Sequence, residues 1–259
     1  MSKLAIFIAL AIASFASSGA AIAEESKGCA LVLMHGKWGD TRSLASFAGR
    51  IDSTCKVKLL EMPWSGRRLY DQSYQTALIE VEAQVKAFRG QGYRSVLVGG
   101  QSFGGNAALA YMADIGDADG VMVLSPGHAP KVMYERGIGN TAVDRARELV
   151  AAGKGDERLE MVDLNQGTRR ELKMTASVLL SYFDPMGLGH MPATASRFKK
   201  AVPVLWVIGT SDPLYPVGEG YAFANLPIHP KSKYWAIDSA HFNTPDAATT
   251  GAIEWLQSL

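Results

Sequence analysis

The feature that most constrains the fold of this chain is an alternation, from Ala30 onward, of short apolar runs with longer amphipathic stretches. The runs are apolar at nearly every position, which is typical of parallel strands that helices cover on both faces. They comprise residues 30–34, 57–62, 96–98, 121–124, 202–208 and 234–237. Over residues 78–88, apolar side chains recur at intervals of three and four, which indicates one face of a helix. The pattern predicts an α/β fold with a doubly wound, mostly parallel sheet.

Residues 127–200 interrupt this alternation between the fourth and fifth runs. The segment has no strong strand-like run, and residues 133–155 and 169–182 are rather polar and have helical character. We therefore expect a helical insertion that packs over one edge of the sheet and covers a pocket. A second small helical domain without contact to substrate is the alternative. With the insertion, residues 24–259 are predicted to form one domain, because a chain of this length can bury a large core.

The first 23 residues have the pattern of a secretory signal peptide. Lys3 is followed by an apolar stretch and then by small residues that end in Ala21-Ile22-Ala23, which is the usual order of charge, apolar core and cleavage site. The stretch is shorter than the roughly 20 residues that a membrane span needs. We expect cleavage after Ala23 and an exported mature protein, periplasmic or secreted, with no stable membrane insertion. An N-terminal anchor that is never cut is the alternative.

Two cysteines, Cys29 and Cys55, each stand just before one of the first two apolar runs. If those runs are parallel neighbours, the two side chains can lie side by side. An oxidising compartment then favours a single disulfide, with a pair of reduced, buried thiols as the alternative. Neither cysteine has the spacing of a metal ligand, and no metal site is predicted.

The charged side chains are nearly balanced, with 26 Lys and Arg against 25 Asp and Glu, and removal of Lys3 with residues 1–23 makes the two counts equal. A nucleic-acid-binding protein usually has a clear basic excess, so no nucleic-acid partner is expected. A disordered chain would be poorer in apolar residues than the 47% found here. The composition therefore favours a globular protein. No oligomeric state is predicted.

A glycine-flanked serine follows the third apolar run, in Gly100-Gln101-Ser102-Phe103-Gly104, and an Ala-rich stretch with helical character comes next. The order strand, G-x-S-x-G, helix is typical of a nucleophilic serine on a sharp turn. Glycine is required on both sides because side chains there would collide with the neighbouring backbone. We predict that Ser102 is a nucleophile, and a turn serine without chemistry is the alternative.

A serine hydroxyl is a weak nucleophile at neutral pH, so it needs a base, usually a histidine, and a carboxylate that orients the base. Of the five histidines, His241 follows the last apolar run, at the same carboxyl edge of the sheet as Ser102. The others lie in the loop after the first run, in the insertion or in a connecting loop: His35, His128, His190 and His229. We therefore predict that His241 is the base.

The orienting acid is expected between the serine and the histidine, after a strand. Asp212 meets this condition, since it lies a few residues beyond the apolar run 202–208. Asp238, which is close to His241 in the chain, and Asp184, within the insertion, are rival candidates. A capping aspartate before proline is the alternative role for Asp212.

Together these motifs resemble the α/β-hydrolase superfamily. The resemblance rests on the segment LVLMHG at 31–36, the turn at 100–104, and the loops of Asp212 and His241, which follow the superfamily's chain order of serine, acid and histidine. It extends over nearly the whole chain after residue 23. The insertion falls where that superfamily commonly has its cap.

The resemblance implies an oxyanion hole made of two backbone N–H groups. One belongs to Phe103, the residue after the nucleophile, and the other to Lys37 in the loop after His35, with Trp38 as second choice. It also implies a serine hydrolase that cleaves small or medium carboxylic esters through an acyl-enzyme on Ser102, without a metal, nucleotide or other cofactor.

Other functions are compatible with the same residues. A peptidase, amidase, lactonase or thioesterase would use the same nucleophile, base and acid, because the fold does not determine the leaving group. A non-catalytic binding protein of the envelope, which uses the insertion as a ligand site, is the alternative from outside the enzymes. For the substrate pocket, the candidate wall residues are aromatic side chains near the catalytic edge, with plain core packing as their alternative role: Trp38, Trp64, Tyr215 and Phe242.

Overall fold

The structure is a computed structural model that describes residues 27–259; the predicted signal peptide, 1–23, lies outside this range. The strands are β1 (Lys27–Met34), β2 (Cys55–Leu60), β3 (Tyr93–Ser102), β4 (Gly120–Pro126), β5 (Arg158–Asn165), β6 (Thr168–Thr175), β7 (Val204–Gly209) and β8 (Lys233–Ile237). The α-helices are α1 (Ala45–Ile51), α2 (Tyr74–Gly90), α3 (Phe103–Asp114), α4 (Pro130–Glu135), α5 (Asn140–Ala151), α6 (Ala176–Phe183), α7 (Met191–Ser196), α8 (Thr244–Ala247) and α9 (Thr249–Gln257).

All six predicted apolar runs overlap strands of one sheet, and only residues 61–62 and 202–203 of these runs lie outside β2 and β7. The strand order of this sheet is β2-β1-β3-β4-β7-β8, and every neighbouring pair is parallel. The predicted fold class is therefore confirmed. The order reverses at β1, which lies between β2 and β3, and such a reversal opens a crevice at the carboxyl ends of the strands where ligands bind in open α/β sheets.

The first strand shows why the apolar runs are continuous. Ala30, Val32 and Met34 point into the core that also contains the buried side chains of α2 and α3. Leu31 and Leu33 point into a second core on the opposite face, with the buried side chains of α1 and α9. Successive side chains of a strand face opposite sides, so helices on both sides require an apolar residue at every position.

A disulfide joins the two neighbouring strands at the edge of the sheet. Cys29 on β1 is in register with Cys55 on β2, the two Cα atoms are 4.8 Å apart, and the sulfur atoms are bonded. The predicted pairing is confirmed, and the alternative of two reduced thiols is wrong for this structure.

The insertion, residues 127–200, lies between β4 and β7 and contains both helices and strands. The predicted helical character of residues 133–155 is confirmed in α4 and α5. For residues 169–182 the prediction is wrong in the first half, because β5 and β6 form an antiparallel hairpin there and the helix α6 begins only at Ala176.

The hairpin escaped prediction because its exposed face is charged. On β6, Leu172 and Met174 are buried while Lys173 between them is exposed, so the strand alternation is short and lies within a polar segment. At its turn, Gln166 has a φ of 47° and Gly167 a φ of 81°. Positive φ at both central residues is the geometry that two-residue hairpins prefer.

The insertion is continuous with the core of the sheet. Met161 of the hairpin, Leu179 and Tyr182 of α6 belong to the same cluster of buried apolar side chains as Val98 of β3. Buried side chains of the insertion and of the sheet therefore pack against one another. No helix within residues 27–259 combines the length and the apolar character needed to cross a membrane.

Candidate active site

The last residue of β3, Ser102, has a strained backbone, with φ 56° and ψ −117°. Positive φ is uncommon for a residue with a side chain. The flanking glycines permit this turn: a Cβ added to Gly100 would lie 2.5 Å from the carbonyl oxygen of Met34, and one added to Gly104 would overlap the same oxygen. The turn thus packs against the end of β1 and raises the serine above the carboxyl edge of the sheet.

The loop after β1 packs directly against this serine. A Cβ on Gly36 would lie 2.6 Å from Oε1 of Gln101 and 3.0 Å from Cβ of Ser102. On the side of β4, a Cβ on Gly127 would lie 2.7 Å from Oγ of Ser102. Glycine backbone therefore approaches Ser102 closely from both neighbouring segments.

Asp212 and His241 form a buried hydrogen-bonded pair. Nδ1 of His241 is 2.6 Å from Oδ2 of Asp212, and the two residues are 4% and 3% exposed. Burial raises the pKa of Asp212, but the hydrogen bonds from His241 and from the Leu214 amide outweigh this effect and hold the pKa below its usual range. The carboxylate is therefore ionised at neutral pH, so Nδ1 of the imidazole carries the hydrogen.

His241 and Ser102 line one cavity. Among the described residues, Nε2 of His241 has no hydrogen-bond partner although it is buried. With Nδ1 carrying the hydrogen, Nε2 has a free lone pair and can accept a proton. The rival acids are elsewhere: Asp238 is exposed, and Asp184 pairs with Arg147 in the insertion.

Comparison with known proteins identifies the architecture. No protein-family model and no curated protein matches this sequence, whereas 565 chains of solved structures match. A monoacylglycerol lipase from Paleococcus ferrophilus is 20% identical, with 89% of this chain and 96% of that chain covered and a TM-score of 0.63. Est1E from Butyrivibrio proteoclasticus, solved with ferulic acid bound, is 18% identical, with 89% of each chain covered and a TM-score of 0.58. The α/β hydrolase GrgF from Penicillium sp. sh18 is 14% identical, with 90% of each chain covered and a TM-score of 0.62.

The chain has the α/β-hydrolase fold. The expected resemblance is thereby confirmed at the level of architecture. It extends over the whole sheet and the insertion, because the matched structures cover about nine-tenths of the chain.

In this α/β-hydrolase fold, the two expected oxyanion donors lie on either side of Ser102. Phe103 is the first residue of α3, so its amide has no acceptor within the helix. Lys37 lines the cavity with Ser102. The amide of Trp38, the second choice, donates to the carbonyl oxygen of Trp64 at 2.8 Å. Lys37 is therefore the better candidate of the two.

The cavity beside Ser102 has a volume of about 150 Å³, which is smaller than the roughly 300–1,000 Å³ of typical ligand pockets. Its apolar wall comes mainly from the insertion, through Ala129, Val132, Met133, Ile138 and Leu164. Asn165, Gln166 and Arg136 add polar groups. Within residues 27–259, no group of three or more His, Cys, Asp or Glu side chains is arranged to hold a metal ion.

The aromatic residues expected in the pocket wall do not line this cavity. Trp64 is fully buried and stacks on Phe103 at 4.5 Å between ring centroids, so it is core. Phe242 and Tyr215 are 67% and 38% exposed outside the cavity. Trp38 packs beneath the guanidinium of Arg170, 4.5 Å from its ring. The insertion supplies aliphatic residues in their place, which the sequence alone did not indicate.

The structure places a further histidine, His128, in the wall of the same cavity, although the sequence indicated only that it belongs to the insertion. Its ring stacks on Phe103 at 3.8 Å, and Nε2 is 2.8 Å from the carbonyl oxygen of Tyr182. Burial, together with the positive charge of Lys37, lowers the pKa of His128 well below its usual value, so the ring is neutral. Its position just after β4, at the carboxyl edge, is a signal that could have linked it to the site.

Proposed function

We propose that this protein is an exported serine hydrolase that cleaves carboxylic esters with small acyl groups. The observation that carries the proposal is the arrangement at one cavity of Ser102, on a strained turn, and the buried pair of His241 and Asp212. A binding protein has no need of a nucleophile at a strained position, and strain of this kind is concentrated at functional sites.

The geometry supports an acyl-transfer mechanism. Oγ of Ser102 attacks the ester carbonyl carbon, and Nε2 of His241 takes the hydroxyl proton because Nδ1 is held as a donor by Asp212. The amides of Phe103 and Lys37 stabilise the oxyanion of the tetrahedral intermediate; one such donor contributes about 3 kcal/mol. His241 then gives the proton to the leaving alkoxide. Water attacks the acyl-enzyme by the same sequence of proton transfers and releases the acid.

The size of the cavity favours the lower end of the expected range of substrates. About 150 Å³ accommodates a group roughly the size of benzene, which corresponds to a short acyl chain. The aliphatic wall of Val132, Met133 and Leu164 suits an apolar acyl group. We therefore propose short-chain esters as substrates, with activity that falls as the acyl chain lengthens.

Two further observations bear on the proposal. The pattern of residues 1–23 and the Cys29–Cys55 disulfide support export to an oxidising compartment. Among solved structures of the same fold, one is a monoacylglycerol lipase and another is a thioesterase domain, which favours ester or thioester hydrolysis. A lactonase, amidase or peptidase remains the second choice, and a non-catalytic envelope binding protein the third.

The proposal is tested by labelling with a fluorophosphonate, which reacts with activated serines. We expect one label per wild-type chain, located at Ser102 by peptide mass analysis, and none in Ser102→Ala. Ser196→Ala is the matched control, because Ser196 is exposed on α7 and away from the cavity. Absence of label in folded wild-type protein would point to the binding protein. Hydrolysis of p-nitrophenyl esters against the matching anilides and thioesters then distinguishes the enzyme classes.

A further inference from the structure

A buried ion pair lies beside the candidate active site and joins the insertion to the loop after β1. Nζ of Lys37 is 2.6 Å from Oδ1 of Asp163, near the end of β5, and the two side chains are 3% and 0% exposed. The remaining acceptor sites of the carboxylate are used by the hydroxyl of Tyr70, at 2.9 Å, and the amide of Leu164, at 2.8 Å. Both charges are therefore paired and fully enclosed.

The insertion also holds the main chain of the same lysine. Nδ2 of Asn165 donates to the carbonyl oxygen of Lys37 at 3.0 Å, and Nζ of Lys37 donates to the carbonyl oxygen of Leu164 at 3.1 Å. Three consecutive residues of the hairpin thus fix both the side chain and a backbone oxygen of one residue. Fixing that oxygen orients the peptide between Lys37 and Trp38, which carries the N–H of Trp38 and where the chain turns with a φ of 58°. The N–H of Lys37 belongs to the preceding peptide, so the hairpin positions it through the side chain and the Cα atom of Lys37.

A buried ion pair by itself adds little to the free energy of unfolding. Desolvation of the two charges opposes their attraction, and an apolar pair of similar volume is often as stable or more so. What the pair supplies is geometry, because short charge-assisted hydrogen bonds tolerate little displacement. Here the geometry is imposed on Lys37, the residue whose amide is the expected second oxyanion donor.

We infer that Asp163 and Asn165 are positioning residues that hold the Lys37 amide in place, so that the hairpin of the insertion completes the oxyanion hole. This inference rests on the proposed function. Neither residue takes part in the reaction. Asp163 acts through the side chain of Lys37, and Asn165 acts through the carbonyl oxygen of Lys37. Docking of the insertion and assembly of the oxyanion hole are then one event, and the insertion does more than cover the pocket.

The test removes the ion pair between Lys37 and Asp163 without leaving an unpaired buried charge. In Lys37→Met/Asp163→Asn both charges are lost together, the amide oxygen of Asn can still accept from Tyr70, and the Lys37 backbone N–H is retained. Asn165→Ala removes the hydrogen bond to the Lys37 carbonyl oxygen and also a polar group of the cavity wall, so its KM is compared with that of the wild type to separate the two effects. The matched control is Asp184→Asn, which breaks the Arg147–Asp184 ion pair of the insertion, where the nearest atoms are 3.0 Å apart, and leaves Lys37 untouched.

The first measurement is fluorophosphonate labelling, recorded as its rate and its end point. The second is hydrolysis of p-nitrophenyl acetate, which gives KM and, when divided by the number of sites that can be labelled, kcat. A displaced group in an active site can lower the rate about 100-fold. We therefore expect kcat to fall about 10- to 100-fold in the double variant and less in Asn165→Ala. KM should change less than two-fold, labelling should be slower but complete, and Asp184→Asn should match the wild type.

A purely structural role predicts a different result. The variants would then show an incomplete end point, because part of the protein is unfolded, while kcat per labelled site stays at the wild-type value. That result, or wild-type kcat in the fully labelled double variant, would overturn the inference. Failure of the proposed function itself is distinguished by the wild type, which would then neither label nor hydrolyse the ester.

Discussion

At the scale of single residues, Asp212 remains ionised although it is buried, because the hydrogen bonds to its carboxylate outweigh the effect of burial on its pKa. This charge serves to hold a hydrogen on Nδ1 of His241. An amide in the same place can donate to Nδ1, which moves the hydrogen to Nε2 and leaves no base toward Ser102. In the proposed mechanism, the role of Asp212 is thus to select the imidazole tautomer.

Asp212→Asn is therefore expected to lower kcat for a short ester by about 10⁴-fold, with a small change in KM, since this substitution has an effect of that size in serine hydrolases of known mechanism. Asp238→Asn is the matched control, because Asp238 is exposed and close to His241 in the chain; its kcat should stay within two-fold of the wild type. Steady-state kinetics of both variants at neutral pH test this. If the two effects are reversed, Asp238 is the acid.

Ser102, His241 and Asp212 could be predicted because each follows an apolar run, and the carboxyl ends of parallel strands meet at one edge. Asp163 could not be predicted. It is separated from Lys37 by 126 residues, and only the packing of the insertion against the loop after β1 brings them together. An aspartate within a polar segment has no sequence signal that distinguishes it from a solvated one.

At the scale of elements, the sheet was easier to predict than the insertion. A central strand of a covered sheet is apolar on both faces, which makes its signal strong even over five residues. The strands β5 and β6 have one charged face, so their alternation is weak and is hidden in a polar segment. The same difference explains the error in the pocket wall, because the aliphatic wall residues lie in the part of the chain whose elements were predicted least well.

The turn between β3 and α3 leads to a prediction about its glycines. A methyl group on Gly104 would overlap the backbone of Met34, and backbone cannot yield as a flexible side chain can. Gly104→Ala is expected to lower the free energy of unfolding by about 3 kcal/mol, the upper range for overpacking. Gly49→Ala, in an exposed position of α1 with open space around the new methyl group, should raise it by about 1 kcal/mol. Urea unfolding measures both, and equal midpoints for the two variants would contradict the account.

At the scale of the whole molecule, the core on one face of the sheet and the buried side chains of the insertion are one cluster, so the cavity lies between parts that pack against each other. Three histidines have a pKa below the usual value for histidine and are neutral at neutral pH. Burial lowers the pKa of His35, whose Nε2 accepts from the Met62 amide, and burial together with Lys37 lowers that of His128. His190 is shifted in the same direction, again chiefly by burial.

These shifts predict a loss of stability in mild acid. Each histidine takes up a proton near pH 6.5 in the unfolded chain and only at a lower pH in the folded protein, so the unfolded state binds more protons and the free energy of unfolding falls as the pH drops below 6.5. One proton corresponds to about 1.4 kcal/mol per pH unit. We expect a net uptake of protons on unfolding between pH 6 and 5, measured from the pH dependence of urea unfolding across this range. In His128→Phe the pH slope should be smaller by about one proton, whatever its stability at neutral pH. An unchanged slope would mean that the buried His128 is protonated in the folded protein.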